Sequence, residues 1–185
     1  MWRILFDLRV RWYRLDKEAL AFLGLVVLIV AASAFALRAV FADRDEKMER
    51  LREFHAQHLA CLARNIYFEA RGEPLAGQYA VAEVTMNRKA SGLYPDTVCA
   101  VVYQKNWDPL RGRYVGAFSW TEFSSLPAPA GEEWERARKV AEAVYYQRYA
   151  PTLQGAMFFH ATHIRPEWAK EKTLVSRIGR HVFYR

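Results

Sequence analysis

Residues 65–74 read Asn-Ile-Tyr-Phe-Glu-Ala-Arg-Gly-Glu-Pro, and this stretch decides the fold because it ends one helix and begins the next. The apolar residues that lead into it recur at helical spacing. They are Leu59, Leu62, Ala63, Ile66 and Ala70. Gly72 is a stop signal for this helix, and Pro74 suits the first turn of a second helix. The sequence therefore predicts two consecutive helices joined by a tight turn.

Glu69 is the carboxylate of this stretch that is best placed for chemistry, because it follows the bulky apolar residues 66–68. Apolar neighbours and the partial negative charge of a helix C-terminus both raise a carboxyl pKa. Arg71 lowers the pKa if its guanidinium reaches Glu69, so the pattern leaves the direction of the net shift open. The more common arrangement is an amphipathic helix whose Glu69 and Glu73 face water.

Residues 19–37 carry no charge and predict a transmembrane helix. At ~1.5 Å rise per residue the run matches the ~30 Å hydrocarbon core of a bilayer. Aromatic and basic residues precede it, as they precede many spans. The alternatives are a buried soluble helix and a signal peptide cleaved after Ala34 or Ala36. We favour an uncleaved anchor, because both the basic region and the apolar run are long for a signal peptide. Basic residues are balanced on the two sides, so charge does not orient the span.

The sequence predicts four segments and an α+β fold. A short basic head (1–18) and the anchor (19–37) precede a charged helical stalk (38–58) and a globular domain (59–185). In the stalk, opposite charges three and four residues apart support an exposed helix. The domain combines helices, the last from about Glu132, with a small antiparallel sheet. The expected strands are residues 156–160, 174–178 and 181–184, with a further short strand at 117–120.

The net charge of +7 suits an anionic polymer: nucleic acid, anionic lipid or a cell-wall glycan that bears carboxylates. The basic residues are scattered, and no nucleic-acid-binding motif is present. A phosphate loop, a dinucleotide fingerprint and a Gly-x-Ser-x-Gly elbow are also missing from the sequence. We therefore predict no nucleic-acid partner and no cofactor.

Two pairs of histidines are the candidate metal ligands. His160 and His163, with Glu167, lie at the end of a predicted strand, which is poor geometry compared with the helical His-Glu-x-x-His arrangement. We favour hydrogen bonding or packing for these two histidines. His55 and His58 fall in the charged stalk, where we expect them to be solvated. No metal site is predicted.

Cys61 and Cys99 are the two cysteines of the chain. In a chain with an export-like segment they are able to form one bridge, and two unpaired buried thiols are the equally simple alternative. A catalytic cysteine is disfavoured, because no basic pocket or partner histidine is evident nearby.

Short motifs follow one another along the predicted globular domain. The first covers residues 63–74, Ala-Arg-Asn-Ile-Tyr-Phe-Glu-Ala-Arg-Gly-Glu-Pro. The others, in chain order, are Gly77-Gln78-x-Ala80-Val81-Ala82, Asn87-Arg88, Cys99-Ala-Val-Val-Tyr103-Gln104, Phe118-Ser119, Phe159-His160-Ala161, Pro166-x-Trp168 and Ile178-Gly179-Arg180-His181-Val182-Phe183-Tyr184. Together they resemble the SleB-type (spore-cortex-lytic) cell-wall hydrolase family over about residues 59–185.

This resemblance implies a peptidoglycan hydrolase that acts on the glycan strand and has a lysozyme-like helical core. The better-characterised members look like lytic transglycosylases, in which the 6-hydroxyl of muramic acid attacks its own C1 and closes an anhydro ring. Such a reaction needs a single carboxylate, whereas an ordinary glycosidase needs two. By the resemblance Glu69 is the catalytic acid, which protonates the leaving oxygen and then takes the hydroxyl proton. Glu73 is expected to be structural, pairing with an arginine or capping the next helix.

The family-like segments also contain residues expected to orient the sugar or its lactyl carboxylate, each with a structural role as the alternative. They are Tyr67, Ser119, His160, Trp168 and Arg177.

The resemblance also implies a location. Peptidoglycan lies outside the bacterial cytoplasmic (inner) membrane, so the domain is expected in the periplasm, held by residues 19–37 as a single-pass anchor. In that compartment the Cys61–Cys99 bridge becomes the favoured state. The anchor and stalk, and the lack of a separate wall-binding domain, differ from spore-cortex enzymes and favour general work on the envelope.

Two other functions stay open at this point. An amidase that cuts between muramic acid and the stem peptide typically needs zinc, for which the ligand set is poor. A non-catalytic wall-binding or scaffold protein has no need for Glu69 and the helix break that follows it.

Overall fold

The computed structural model describes residues 17–153 and 155–185. Most of the predicted basic head lies outside the described residues. The chain divides into two compact units, Met1–Arg52 and Glu53–Arg185.

The described part of the first unit belongs to helix α1 (Lys17–Ala70). Residues 17–52 of this helix are exposed throughout. Side chains of opposite charge pair along it at spacings of three or four residues: Lys47–Asp43, Arg50–Glu46 and Arg52–Glu49. The exposed helix predicted for this part of the stalk is confirmed. Each such pair contributes only about 0.3–0.5 kcal/mol, so the exposed helix gains little from any one of them.

Within residues 17–153 and 155–185, α1 is the one helix long and apolar enough to cross a membrane. Its most apolar window has a mean hydropathy of 2.8, and none of that window is buried. These properties meet the requirement for a span, and an N-terminal signal sequence meets it as well.

The second unit contains the end of α1 and the helices α2 (Leu75–Ala90), α3 (Val98–Val102) and α4 (Gly131–Tyr145). The predicted start of α4 near residue 132 is confirmed. Buried side chains of all four helices form the main core, among them Leu62, Ile66, Ala82, Val102 and Val140. Burying one such branched side chain contributes about 1.5–3 kcal/mol, which makes this core the main stabiliser of the unit.

Two antiparallel sheets complete the second unit. The strands β1 (Lys105–Asp108) and β2 (Arg113–Gly116) form a hairpin. The other sheet has the order β3 (Phe158–Ala161), β5 (His181–Tyr184), β4 (Leu174–Ile178). The predicted strands 174–178 and 181–184 are confirmed with the same bounds, and β3 begins two residues after the expected start. The sheet packs on α2 through the fully buried Phe183, so the predicted α+β class is confirmed.

The strand predicted at residues 117–120 is wrong. Residues Ser119–Glu122 form a 3₁₀ helix that follows the extended residue Phe118. Phe118 and Trp120 are buried and Ser119 between them is exposed. This alternation of buried and exposed residues is also the pattern of a half-buried strand. The Thr121 N–H instead bonds the Phe118 carbonyl at 3.0 Å, which closes a turn.

The expectation that the stalk histidines are solvated is also wrong. His58 is only 6% exposed, and its Nδ1 lies 3.1 Å from Cys99 Sγ. His55 is half-buried and its Nδ1 lies 2.7 Å from the Tyr145 hydroxyl. The pattern of charges did not predict the burial of these histidines, because the residues that contact them, Cys99 and Tyr145, lie far away in the sequence.

Cys61 of α1 and Cys99 of α3 form a disulfide, with their Cα atoms 5.3 Å apart. The favoured pairing is therefore confirmed. Helix α3 has only five residues, of which Val98, Val101 and Val102 are fully buried, and the bridge joins it covalently to α1.

Replacing both cysteines with alanine should lower the free energy of unfolding by about 3–4 kcal/mol. The bridge joins residues 38 apart in the sequence, and the chain entropy that it removes from the unfolded state grows with loop length. Urea denaturation of the full chain in detergent, followed by tryptophan fluorescence, measures the change. Dithiothreitol should bring the wild type to the level of the variant and leave the variant unaffected. Equal stability of the oxidised wild type and the variant would contradict the expectation.

Candidate active site

The glycine after α1 ends the helix. Gly72 has φ of +78°, in the left-handed region that residues with a Cβ rarely adopt. The Glu73 N–H then bonds the Ala70 carbonyl at 3.0 Å. Pro74 stands at the N-cap of α2 and not in its first turn, one residue earlier than expected. The turn leaves Glu69 in the last turn of α1.

Glu69 is half-buried at this helix end. Burial raises its pKa to about 7, and the positive charge of Arg88 opposes the rise without cancelling it. Arg71, the arginine next to Glu69 in the sequence, lies instead with its guanidinium 5.4 Å from the centre of the Tyr67 ring. A carboxyl with a pKa near 7 populates both protonation states at neutral pH, as a group that donates and then accepts a proton must.

Arg88 is held in place by its surroundings. Its Nε donates to the Met157 carbonyl at 2.8 Å, and its guanidinium lies 5.1 Å from the Phe118 ring centre and 5.3 Å from that of Tyr94. Burial lowers the pKa of Arg88, but an arginine side chain stays protonated in proteins. A fixed positive charge therefore acts on Glu69.

Sequence reasoning missed Arg88 as a site residue, although a signal was present. Val81, Val84 and Thr85 are fully buried, and Arg88 continues their spacing of i, i+3, i+4 and i+7 on α2. An arginine on the buried stripe of a helix is rare unless it has a partner or a task. The stripe becomes visible only once the register of α2 is known.

The buried carboxylates other than Glu69 that the described residues contain are occupied by structural bonds. Glu83 accepts hydrogen bonds from the backbone N–H groups of Thr152 and Leu153, at 3.0 Å and 2.8 Å. Glu73 is held by Arg180. In the described part of the chain Arg88 is the one charged group that shifts the pKa of Glu69. Among the described residues, no carboxylate is a cause of the pKa shift of Glu69.

Glu73 is buried, with its side chain 2% exposed. It accepts hydrogen bonds from the Arg180 backbone N–H at 2.9 Å and from Arg180 Nε at 2.6 Å. Burial acts to raise the pKa of Glu73, but the two hydrogen bonds from Arg180 and the charges of His181 and Arg180 together hold that pKa below its ordinary value. A Cβ at Gly179 would overlap Glu73 Oε2, so glycine is required there. The expected pairing of Glu73 with an arginine is confirmed.

Arg88 lines an open cleft of about 290 Å³, which we call the Arg88 cleft. Its other lining residues are mostly aromatic: Tyr94, Asn106, Ala117, Phe158, Phe159 and Trp168. Aromatic faces pack against apolar surfaces, and the amide and guanidinium groups bind hydroxyls and carboxylates. Such a lining fits a sugar that carries a carboxylate.

Two of the five residues expected to bind substrate come together in the structure. The ring centres of His160 and Trp168 are 5.7 Å apart, and Trp168 lines the Arg88 cleft. His160 donates from Nδ1 to the Ala161 carbonyl at 2.9 Å, and its Nε2 lies 3.0 Å from the Tyr184 hydroxyl. His160 is therefore a support for Trp168, with both ring nitrogens engaged.

Tyr67, Ser119 and Arg177 are not among the residues that line the Arg88 cleft. Tyr67 packs edge-on against Phe68 and Trp134. Ser119 begins the 3₁₀ helix, and Arg177 lies on β4; both are exposed. Their predicted contacts with substrate stay predictions.

Within residues 17–153 and 155–185, the structure contains no group of three or more His, Cys, Asp or Glu side chains able to hold a metal ion. His163 and Glu167, the other members of the candidate set, are exposed.

The chain is similar to known proteins over this unit. The sequence profile of a family described as Cell Wall Hydrolase matches residues 72–184. The spore cortex-lytic enzyme of Oceanobacillus iheyensis is 31% identical over 125 residues, which is 66% of this chain and 39% of the relative. That of Bacillus subtilis is 29% identical over 130 residues, 70% of this chain and 38% of the relative. The chain thus spans about two fifths of the length of these relatives.

A solved structure shares the fold. The catalytic domain of the germination-specific lytic transglycosylase SleB from Bacillus anthracis superposes with a TM-score of 0.51 at 26% identity, covering 69% of this chain and 93% of that chain. The catalytic domain of the Bacillus cereus SleB protein gives a TM-score of 0.50.

Glu73→Ala should lower the free energy of unfolding by about 2–3 kcal/mol, because it removes a buried carboxylate and leaves the Arg180 backbone N–H without its acceptor. Urea denaturation of the full chain in detergent measures the change. Glu142→Ala is the matched control, since Glu142 pairs with Arg148 but both side chains are more than half exposed; its effect should stay below about 1 kcal/mol. Equal losses in the two variants would remove the structural role assigned to Glu73.

Glu69→Gln should stabilise the protein at pH 8 and have little effect at pH 4. The folded state holds the Glu69 proton up to a pKa of about 7, whereas the unfolded chain releases it near 4.5. The wild type therefore loses stability as the pH rises through that window, on the order of 3 kcal/mol in total. The glutamine variant has no such loss. Thermal unfolding of both proteins from pH 4 to pH 8 tests this, with the exposed Glu53→Gln as control; a difference that does not depend on pH would contradict it.

Proposed function

This chain belongs to the cell wall hydrolase family, and from that premise we propose that it cleaves the glycan strand of peptidoglycan as a lytic transglycosylase. The bond cut lies between N-acetylmuramic acid and N-acetylglucosamine, and the product carries a 1,6-anhydro ring. Glu69 is the single acid and base. The observation that carries the proposal is a half-buried carboxyl with a pKa of about 7, on which Arg88 acts and no carboxylate of the described residues does.

The proposed reaction has two proton transfers through one carboxyl group. Protonated Glu69 first gives its proton to the glycosidic oxygen as the bond from C1 to that oxygen breaks. The carboxylate then takes the proton of the muramic acid 6-hydroxyl as its oxygen bonds to C1. Because the nucleophile belongs to the sugar itself, no water has to be activated and no second carboxylate is needed.

Arg88 tunes this acid. Burial alone would move the pKa of Glu69 further up and make it a weaker proton donor to the glycosidic oxygen, and the charge of Arg88 offsets part of that rise. Arg88 also lines the aromatic cleft, so it is able to orient the lactyl carboxylate of muramic acid. Trp168, supported by His160, offers a ring face for the sugar.

The names of the similar proteins support the same reaction class. The Bacillus anthracis structure is described as a lytic transglycosylase, and the curated relatives as spore cortex-lytic enzymes.

We further propose that α1 anchors the protein in the cytoplasmic membrane, with the catalytic unit in the periplasm. The apolar, exposed segment of α1 supports the anchor. The Cys61–Cys99 disulfide supports an oxidising compartment for the second unit. The substrate lies in that compartment as well.

Digestion of purified peptidoglycan by the full chain in detergent tests the reaction. We expect mass spectrometry to find anhydro-muropeptides, and Glu69→Gln to lower their rate of release at least 100-fold because the proton donor is lost. Glu53→Gln, an exposed glutamate of α1, is the matched control and should act like the wild type.

Other products would contradict the proposal in distinct ways. Reducing muramic acid ends would indicate a hydrolytic muramidase, and free stem peptides would indicate an amidase. Release of no product by the folded wild type would indicate a wall-binding or scaffold protein.

A further inference from the structure

A second cleft, of about 360 Å³, is lined by Arg64, and we call it the Arg64 cleft. Its lining residue Trp120 follows Ala117, which lines the Arg88 cleft, by three residues in the sequence. Three residues of extended chain reach at most about 10 Å, so the two clefts are close neighbours. Nothing in the proposed reaction uses the Arg64 cleft.

The floor of the Arg64 cleft is rigid. Trp120 is only 6% exposed, and its indole Nε1 donates to Asn65 Oδ1 at 2.9 Å. Its ring stacks on Phe68 with the centres 4.8 Å apart. Phe68 immediately precedes Glu69, so the floor is directly connected to the candidate acid.

The walls of the cleft are aromatic and exposed. The ring of Tyr103 lies 5.7 Å from that of Trp120, in edge-on geometry, and Tyr103 is 43% exposed. Phe123, another lining residue, is 65% exposed. Aromatic surface left open in this way costs free energy unless something covers it.

Arg64 supplies the charge of the cleft. Its guanidinium lies 5.8 Å from the centre of the Trp120 ring. In the part of the chain that the structure describes, no acidic side chain lies within ion-pair distance of Arg64, although other exposed arginines are paired, among them Arg113, Arg136 and Arg148. The cleft thus presents an unneutralised cation above an aromatic floor, with the hydroxyls of Ser124 and Ser125 on the same lining.

We propose that the Arg64 cleft binds the stem peptide of the strand being cut, through a carboxylate of that peptide. The guanidinium matches a carboxylate bidentately, and the aromatic walls pack against methyl and methylene groups of the peptide. A neutral sugar leaves the charge of Arg64 unmatched. The proposal rests on the proposed function, because the peptide arrives as a substituent of the muramic acid in the Arg88 cleft.

The distance between the two clefts agrees with this arrangement. Ala117 lines the Arg88 cleft and Trp120 lines the Arg64 cleft, and these residues are three apart in the sequence, so their backbones are at most about 10 Å apart. Two or three extended peptide residues cover roughly 7–10 Å. A carboxylate two or three residues from the muramic lactyl group is therefore within reach of Arg64, and the enzyme distinguishes strands with stem peptides from bare ones.

Binding of a free stem peptide tests the cleft without any catalysis. The probe is the tetrapeptide L-Ala-D-γ-Glu-diaminopimelate-D-Ala, titrated into the full Glu69→Gln chain in detergent and followed by tryptophan fluorescence. We expect saturable binding that Arg64→Ala weakens about tenfold and Arg64→Lys weakens less. As a control, the same tetrapeptide with its carboxylates amidated is titrated into the Glu69→Gln chain that keeps Arg64. Its binding should be weakened about tenfold, which is the same loss that Arg64→Ala causes for the natural tetrapeptide. No saturable binding, or equal binding of both peptides, overturns the proposal.

Kinetics on two uncrosslinked glycan substrates complete the test, one with intact stem peptides and one stripped of them by an amidase. For the wild type we expect a KM about tenfold lower on the strands that carry peptides, and for Arg64→Ala a ratio near one. Arg138→Ala, which removes a charge from neither cleft, should keep the wild-type ratio. A ratio that Arg64→Ala leaves unchanged overturns the proposal. If the wild type released no anhydro products, the proposed function would be refuted. The binding titration would still test whether the Arg64 cleft binds the stem peptide, because it does not depend on catalysis.

Discussion

The end of helix α1 depends on one buried carboxylate. Glu73 lies in the turn after the helix and binds both the backbone and the side chain of Arg180, which is in the β4–β5 hairpin at the far end of the sequence. This contact joins the helix that carries Glu69 to the sheet. Its geometry is possible because Gly179 has no Cβ to overlap the carboxylate. The helix end, the turn and the hairpin are therefore one structural unit, and each requires the others.

Glu69 and Glu73 show how position separates two identical side chains four residues apart. Both lose water, and in both that loss favours the protonated form. Glu73 receives two hydrogen bonds from Arg180, and these bonds together with the charges of His181 and Arg180 reverse the effect and lower its pKa. Glu69 receives only the more distant charge of Arg88, and its pKa rises to about 7. One carboxylate is thus committed to structure, and the other is left free to exchange a proton near neutral pH.

Arginines above aromatic rings recur around this helix end. Arg88 lies over Phe118 and Tyr94, and Arg64 lies over Trp120. Neither has a carboxylate partner within ion-pair distance among the described residues, so both present positive charge to neighbouring open clefts. A polymer that alternates sugar rings with carboxylate-bearing substituents matches this arrangement of charge and aromatic surface. The net charge of +7 acts in the same direction at longer range.

The sequence by itself determined the features that depend on neighbours along the chain. These are the end of α1 near Gly72, the start of α4, and the strands β4 and β5, because periodicity and glycine act locally. The tertiary structure decided the rest. Three features depend on residues that are far away in the sequence: the burial of His58, the turn at 119–122 and the effect of Arg88 on Glu69. A local sequence pattern does not contain information about such distant contacts. The pKa of Glu69 is the clearest case: its direction was open until the fold put Arg88, and not Arg71, beside it.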